Sequence, residues 1–385
     1  MSQTKAQLVS GTTAQDLTVD NINTSSINSG KTAGRKNLVI NGAMNIAQRG
    51  TSSSQTGYRT VDRFRPDAGG TDETPTQAQV DVASGTGPYE SGFRKALKIT
   101  NGNQTGGAAA ADFVQIDYRF EAQDIAKSGW NYTSSSSFVT LSFWIKSSVS
   151  KDFQIVVRTQ DGTSQSFQFE TPTLSADTWT KVTKTIPGNS NLTFDNNTDI
   201  GLLLFWFPYI GTEYTDAGNT LDAWQTSSSS TYGVVDGTSW YTTNDATFEI
   251  TGVQLETGST ATDFEHRSFG EDLALCQRYF FSITGDNNVR SGVLGYANSS
   301  SEFRGVVHFP VTMRANPTLT GSATAAVIDS ADDSATFNVN ALSMSTVPQI
   351  NQAVVEVSTS SMTAGQCGQL EFRASNGFMN FDAEI

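Results

Sequence analysis

Residues 114–121 read Val-Gln-Ile-Asp-Tyr-Arg-Phe-Glu. Apolar and polar side chains alternate without a break. Successive side chains of a strand point to opposite faces, so this is a β-strand with one face toward a core. Val139, Leu141, Phe143 and Ile145 repeat the pattern, and Phe153, Ile155 and Val157 repeat it again. Residues 201–207, Gly-Leu-Leu-Leu-Phe-Trp-Phe, are apolar on both faces, which predicts a central strand covered on both sides. Phe248 and Ile250 alternate in phase, but Val253 and Leu255 fall out of phase across Gly252. A β-bulge at that glycine restores the register. Asp161-Gly162, Pro187-Gly188 and Asp236-Gly237 punctuate these runs as turns. Many short strands joined by glycine-rich turns predict an all-β sandwich or barrel over residues 35–267.

The composition agrees. Of 385 residues, 37% are hydrophobic and only 16% charged, the remainder being rich in Ser, Thr, Asn, Gln and Gly. Such side chains compete for backbone hydrogen bonds inside helices and suit strands and turns. The 23 phenylalanines favour the pleated surface of a sheet. One helix is predicted. Ser268 and Glu271 form a capping box, and Leu273, Cys276 and Phe280 share one helical face over residues 268–281. It connects to a second β domain over residues 282–385, with strands at 289–296, 302–309, 352–358 and 370–374. Residues 1–34 contain no aromatic side chain and too few apolar ones for a core of their own. That segment is expected either to be extended and to order only against a partner, or to be a disordered tail.

A net charge of −14 disfavours a polyanionic partner such as DNA. The longest apolar run, residues 202–207, is far short of the ~20 residues of a membrane span. The N-terminus lacks the apolar core of an export signal. Cys276 and Cys367 are expected to be buried thiols rather than a disulfide, in keeping with assembly in a reducing cytosol.

Catalytic signals are weak. His266 and His308 have no metal-ligand companion at the spacing a zinc site needs. No G-x-S-x-G elbow is present. Paired carboxylates remain open to a glycosidase mechanism, but with 38 acidic residues their presence discriminates nothing. Acidic loops offer oxygen ligands to a structural Ca²⁺, without EF-hand spacing; no other cofactor is implied. Binding chemistry is more visible. Residues 206–241 gather seven Trp and Tyr residues among Asp, Asn, Gly and Ser. Sugars present apolar C–H faces and hydroxyl edges, so their sites combine aromatic platforms with short polar groups. The candidate glycan-binding residues are Tyr214, Trp224, Trp240 and Tyr241, in segments too polar for a core, with Asp222 and Asp236 beside them. The alternative is that these aromatics fold back and cover the sandwich edge. Trp206, inside the apolar strand, is expected in the core.

Residues 36–42 (KNLVING), 47–51 (AQRGT) and 58–64 (YRTVDRF) resemble the opening of bacteriophage tail-fibre domains that are jelly rolls of carbohydrate-binding-module type. Residues 248–256 (FEITGVQLE), 261–267 (ATDFEHR) and 271–280 (EDLALCQRYF) resemble the close of that unit. Residues 309–317 (FPVTMRANP) and 381–383 (FDA) resemble the domain that follows it. The likeness spans nearly all of residues 35–385 and is similar to marine podophage fibres. It implies an all-β fold with a large jelly-roll β-sandwich, a short connecting helix and a smaller C-terminal β-sandwich. It also implies a homotrimer in the virion tail that recognises a host-surface glycan, with residues 1–34 docked on other phage tail proteins. No sugar-site motif is carried over by it. Arg49 and the Asp62-Arg63 pair are expected to hold the domain's ends together through buried ion pairs. Two other readings stay open: a polysaccharide depolymerase using paired carboxylates, and an architectural virion appendage without ligand.

Overall fold

The alternating segments become strands of two six-stranded antiparallel sheets. The first has the order β1 (Ser52–Ser53), β3 (Thr76–Asp81), β4 (Lys95–Thr100), β12 (Thr247–Thr257), β6 (Phe138–Ser147), β9 (Thr180–Pro187). The second runs β11 (Trp224–Thr226), β8 (Gln165–Glu170), β7 (Gln154–Thr159), β10 (Ile200–Ile210), β5 (Phe113–Glu121), β2 (Phe64–Gly69). The computed structural model describes residues 36–228, 232–285, 291–322, 326–330, 335–345, 349–372 and 377–385. The expected virion-attachment segment, residues 1–34, lies outside the described residues. Neighbours such as β4–β12–β6 and β7–β10–β5 are distant in sequence, so the chain passes repeatedly between the sheets, the mark of a jelly roll.

The inward rows of both sheets meet in one core. Ile116 and Tyr118 of β5, Ile155 and Val157 of β7, and Leu202, Leu204 and Trp206 of β10 pack against Leu141 and Phe143 of β6 and Ile250 of β12. Trp206 is fully buried, edge-on to Phe143 at 5.8 Å. The bulge falls where expected: pairing of β12 with β6 shifts register between Thr251 and Gln254, and Gly252 has φ 63°. A Cβ there would meet the Phe93 ring at 2.6 Å as well as a left-handed backbone, so glycine is required twice over.

The helix begins as predicted, with Ser268 accepting from the Glu271 amide at 3.3 Å, but spans only Phe269–Gln277. Phe280, assigned by periodicity to its inner face, instead opens strand β13 (Phe280–Thr284). The chain is diverted because the next two side chains are claimed elsewhere: Arg278 pairs with Glu121 at 2.8 Å and the Tyr279 hydroxyl donates to Glu121 at 2.6 Å.

Beyond it lies the smaller sandwich. Strands β14 (Ser291–Ser299), β15 (Glu302–His308), β17 (Ala326–Ser330), β18 (Thr336–Asn338), β19 (Ala341–Met344), β20 (Gln352–Ser358) and β21 (Cys367–Phe372) form a seven-stranded sheet ordered 18-17-21-14-15-20-19. A three-stranded sheet of β13, β22 (Phe378–Asp382) and β16 (Thr318–Gly321) covers its inner face, and both contribute to a second apolar core around Phe303, Leu370, Phe372 and Phe381. Of the four strands expected here, that at 352–358 keeps its bounds and the others shift by a few residues; parts of two fall outside the described residues. Cys276 is buried, whereas Cys367 is exposed, contrary to expectation, on the outer side of β21; both are free thiols.

The two cores are bolted by charge. Arg63, 1% exposed, pairs with Glu384 and lies 3.5 Å above the Tyr279 ring. Arg49 pairs with Asp382 at 3.0 Å and Glu384 at 3.4 Å, with Asp62 at 3.8 Å. These arginines thus join the large sandwich to Asp382 and Glu384 at the end of the small one, rather than only the ends of one domain. Burial pushes the Asp62 carboxyl up to about 6, the Arg49 charge offsetting part of that rise. Glu121 behaves oppositely: burial raises it, but the hydrogen bonds from Arg278, Tyr279 and Gln123 with the Arg278 charge hold it below the usual glutamate value.

Candidate functional site

Strand β10 is apolar on both faces, but the strands beside it are not. On the face turned from the core, Leu203, Phe205 and Phe207 stand in line, and the register sets Arg119 and Asp117 of β5 on one side and Arg158, Val156 and Gln154 of β7 on the other. The outcome is an aromatic stripe with polar flanks on an outer sheet face. Phe205 and Phe207 lie nearly parallel, centroids 5.8 Å apart and 18° between planes.

Two tyrosines between β10 and β12 pack back on this apolar cluster. Tyr232 stands edge-on to Phe205 at 5.8 Å and to Phe207 at 6.3 Å. Tyr214, at the end of a short 3-10 turn, stands edge-on to Phe113 at 5.7 Å. Between these rings remains an open cavity of about 220 Å³ lined by Phe113, Gln115, Phe205, Phe207, Ile210, Tyr214 and Tyr232. Pockets that engulf a drug-sized ligand run from ~300 Å³ upward, so this one accommodates a single small ring. Its walls are aromatic, and its polar groups are the Gln115 amide and the two phenols. That combination can accept the C–H face of a sugar and hydrogen-bond its hydroxyls.

The six residues singled out from the sequence do not converge. Tyr214 alone lines the cavity. Trp224 is half-buried against Phe167 on the core side, centroids 5.5 Å apart, and its indole donates to the Pro187 carbonyl at 2.7 Å. Trp240 and Tyr241 are corrected outright: they are 0% and 1% exposed and belong to the main core. The Trp240 indole donates to the Thr247 carbonyl at 3.1 Å, and the Tyr241 hydroxyl to Asp112 at 3.1 Å. Buried Asn101 draws them in, donating to the carbonyls of Tyr241 at 2.7 Å and Thr243 at 3.1 Å. Asp236 is likewise occupied. Its carboxylate meets Lys151 at 2.5 Å with 4% of the side chain exposed, and burial raises its pKa although Lys151 opposes the rise. Asp222 remains exposed and pairs with Lys184.

Phe113, Gln115, Phe205, Phe207, Ile210 and Tyr232 were missed as site residues. The available signal was the pairing of a doubly apolar strand with the alternating one at 114–121, which leaves an apolar stripe on an otherwise polar face. No group of three or more His, Cys, Asp or Glu able to hold a metal exists among the described residues. His266 packs beside Phe93 and Phe264, and its ring nitrogen meets the Ser91 carbonyl at 3.0 Å, a structural placement.

No known family model matches the sequence, and no curated protein is similar to it. Solved structures are similar at a distance. One is the enzymatically active domain of tailspike protein 4 of bacteriophage CBA120, with 9% identity, a TM-score of 0.29, and coverage of 58% of this chain but only 21% of that one. A protein from Bacteroides thetaiotaomicron described as sugar-binding has 12% identity and a TM-score of 0.32 over 58% of this chain and all of that one. A family 11 carbohydrate-binding module of a Clostridium thermocellum cellulase has 12% identity and a TM-score of 0.24, covering 56% and 98%. Likenesses this distant assign no ligand and no role to this chain.

Proposed function

We propose that the protein is a non-catalytic component of a phage tail fibre or spike that recognises a host-surface glycan. The cavity on the outer face of β10 would hold one sugar ring. The observation that carries the binding role is the cavity of about 220 Å³ beside that buried stripe, walled by the partly exposed Tyr214 and Tyr232. The tail role is supported by the ordered sequence strings at 36–64, 248–280 and 309–317. Tyr214→Ala and Gln115→Ala are expected to weaken binding on a glycan array by about tenfold each, with unchanged melting temperatures. Undiminished binding in both variants would remove the cavity from the site. Release of reducing ends from a bound polysaccharide would replace the binding role with a depolymerase.

A homotrimer belongs to the same proposal. Leu294, Tyr296 and Val306 are 74%, 48% and 43% exposed on adjacent strands of the seven-stranded sheet. An apolar row of this kind on a sheet face is a favourable contact for another copy. Light scattering is expected to give three times the 41.3 kDa chain mass, falling to the monomer in Val306→Glu; a wild-type monomer at micromolar concentration would count against assembly.

A purely architectural role has one observation in its favour. Lys151 pairs with Asp236, and Gln154 donates to the Val234 carbonyl, so the covering segment is pinned to the sheet. A protein that binds nothing on a broad array would fit that role.

A further inference from the structure

We infer that the glycan bound on this face carries a carboxylate, read by Arg158; the inference rests on the proposed glycan role and names the ligand class. Arg158 lies on β7 directly across from Leu203, at the end of the aromatic stripe. Its guanidinium is held by two hydroxyls: Nε donates to Ser164 Oγ at 3.2 Å, and Nη1 to the Tyr232 hydroxyl, whose ring centroid is 5.2 Å away. Hydroxyls orient a guanidinium without neutralising it. The other arginines of the face differ. Arg65 and Arg119 share buried Asp117, at 3.0 and 2.7 Å, and Arg65 also meets Asp67 at 2.8 Å. Arg158 has no carboxylate partner among the described residues, and its Nη2 donates to none of them, although the side chain is only half-buried.

The position suits a ligand that spans the stripe. Tyr232 walls the cavity with its ring and contacts Arg158 with its hydroxyl, so Arg158 lies directly behind that wall. Arg158 is two residues along β7 from Val156, which pairs with Phe205, a rise of about 7 Å. A saccharide that enters the cavity beside Tyr232 and continues along the strand direction would bring a ring substituent toward Nη2. The planar fork of an arginine matches a carboxylate in geometry and charge. Carboxylates lie toward the other end of the face, where Glu170 pairs in register with Gln154 and has Asp152 and Asp236 within electrostatic reach, and Asp117 is held by Arg65 and Arg119. The chain's overall charge of −14 opposes an anionic ligand at long range. Screening confines that repulsion to about 8 Å at physiological salt, so the local guanidinium decides.

The test is a binding panel of alginate, polygalacturonate and hyaluronan, each beside its carboxyl-reduced neutral form, with neutral polysaccharides alongside. At least one acidic polymer is expected to bind, and its reduced form at least about tenfold more weakly. Arg158→Gln should lose the same factor on the acidic polymer, Arg158→Lys should recover part of it, and added salt should weaken wild type more than Arg158→Gln. Equal binding to the reduced polymer, or an unaffected Arg158→Gln, overturns the carboxylate and leaves glycan recognition standing. No binding to any polysaccharide counts against both.

Discussion

Arg63→Met is expected to split the thermal unfolding of this protein into two transitions and to lower its stability by about 3–5 kcal/mol. Arg63 sits on the boundary between two apolar cores. Its Nη1 meets Glu384, its Nη2 donates to the Arg119 carbonyl at 2.6 Å, and its ring-face contact with Tyr279 is equally buried. Methionine keeps most of the volume and takes the same left-handed backbone, φ 71°, so the change removes the charge together with the hydrogen bond to the Arg119 carbonyl. What remains is a Glu384 carboxylate with 6% exposure and only Arg49 to balance it. A buried charge that loses a partner keeps its desolvation cost and loses the attraction that offset it. Because the pair spans the two sandwiches, the loss falls on their coupling, and the smaller one should melt first by calorimetry. A single transition at an unchanged midpoint would show that apolar contact alone holds the halves together.

Trp240→Ala is expected to cost about 3–5 kcal/mol, as large aromatic truncations in cores do, and to leave the intrinsic affinity for glycan unchanged. The indole is 0% exposed, so no sugar can reach its ring. Its hydrogen-bond acceptor, the Thr247 carbonyl, also receives the Ser148 amide at 3.1 Å, so the penalty is a cavity rather than an orphaned polar group. Chemical denaturation measures the stability loss, and titration below the variant's melting range measures affinity. Tyr214→Ala should show the reverse, with affinity lost and stability kept. If Trp240→Ala binds weakly while still fully folded, the covering segment transmits to the cavity in a way its burial does not suggest.

The contrast between these residues shows where reading the sequence stops. Trp240 and Tyr241 stand among Ser, Thr, Asn and Asp, and local polarity argues for exposure. They are buried because Asn101, some 140 positions earlier, supplies the hydrogen bonds that let their backbone enter the core. The helix shows the same limit. Its start lies in a local signal, Ser268 three residues before Glu271, while its end depends on Glu121, more than 150 positions away.

The amino-acid order alone settled the β class, the inward rows of the main strands, the Gly252 bulge, the start of the helix and the core position of Trp206. Each follows from side-chain direction over a few neighbouring residues, which the backbone repeat dictates. Only the folded chain decided which aromatic rings stay open. That depends on which strands become neighbours: β10 beside β5 and β7 turns one apolar segment into a stripe between charged flanks, and the packing of the described residues after β10 leaves space at Tyr214 and none at Trp240.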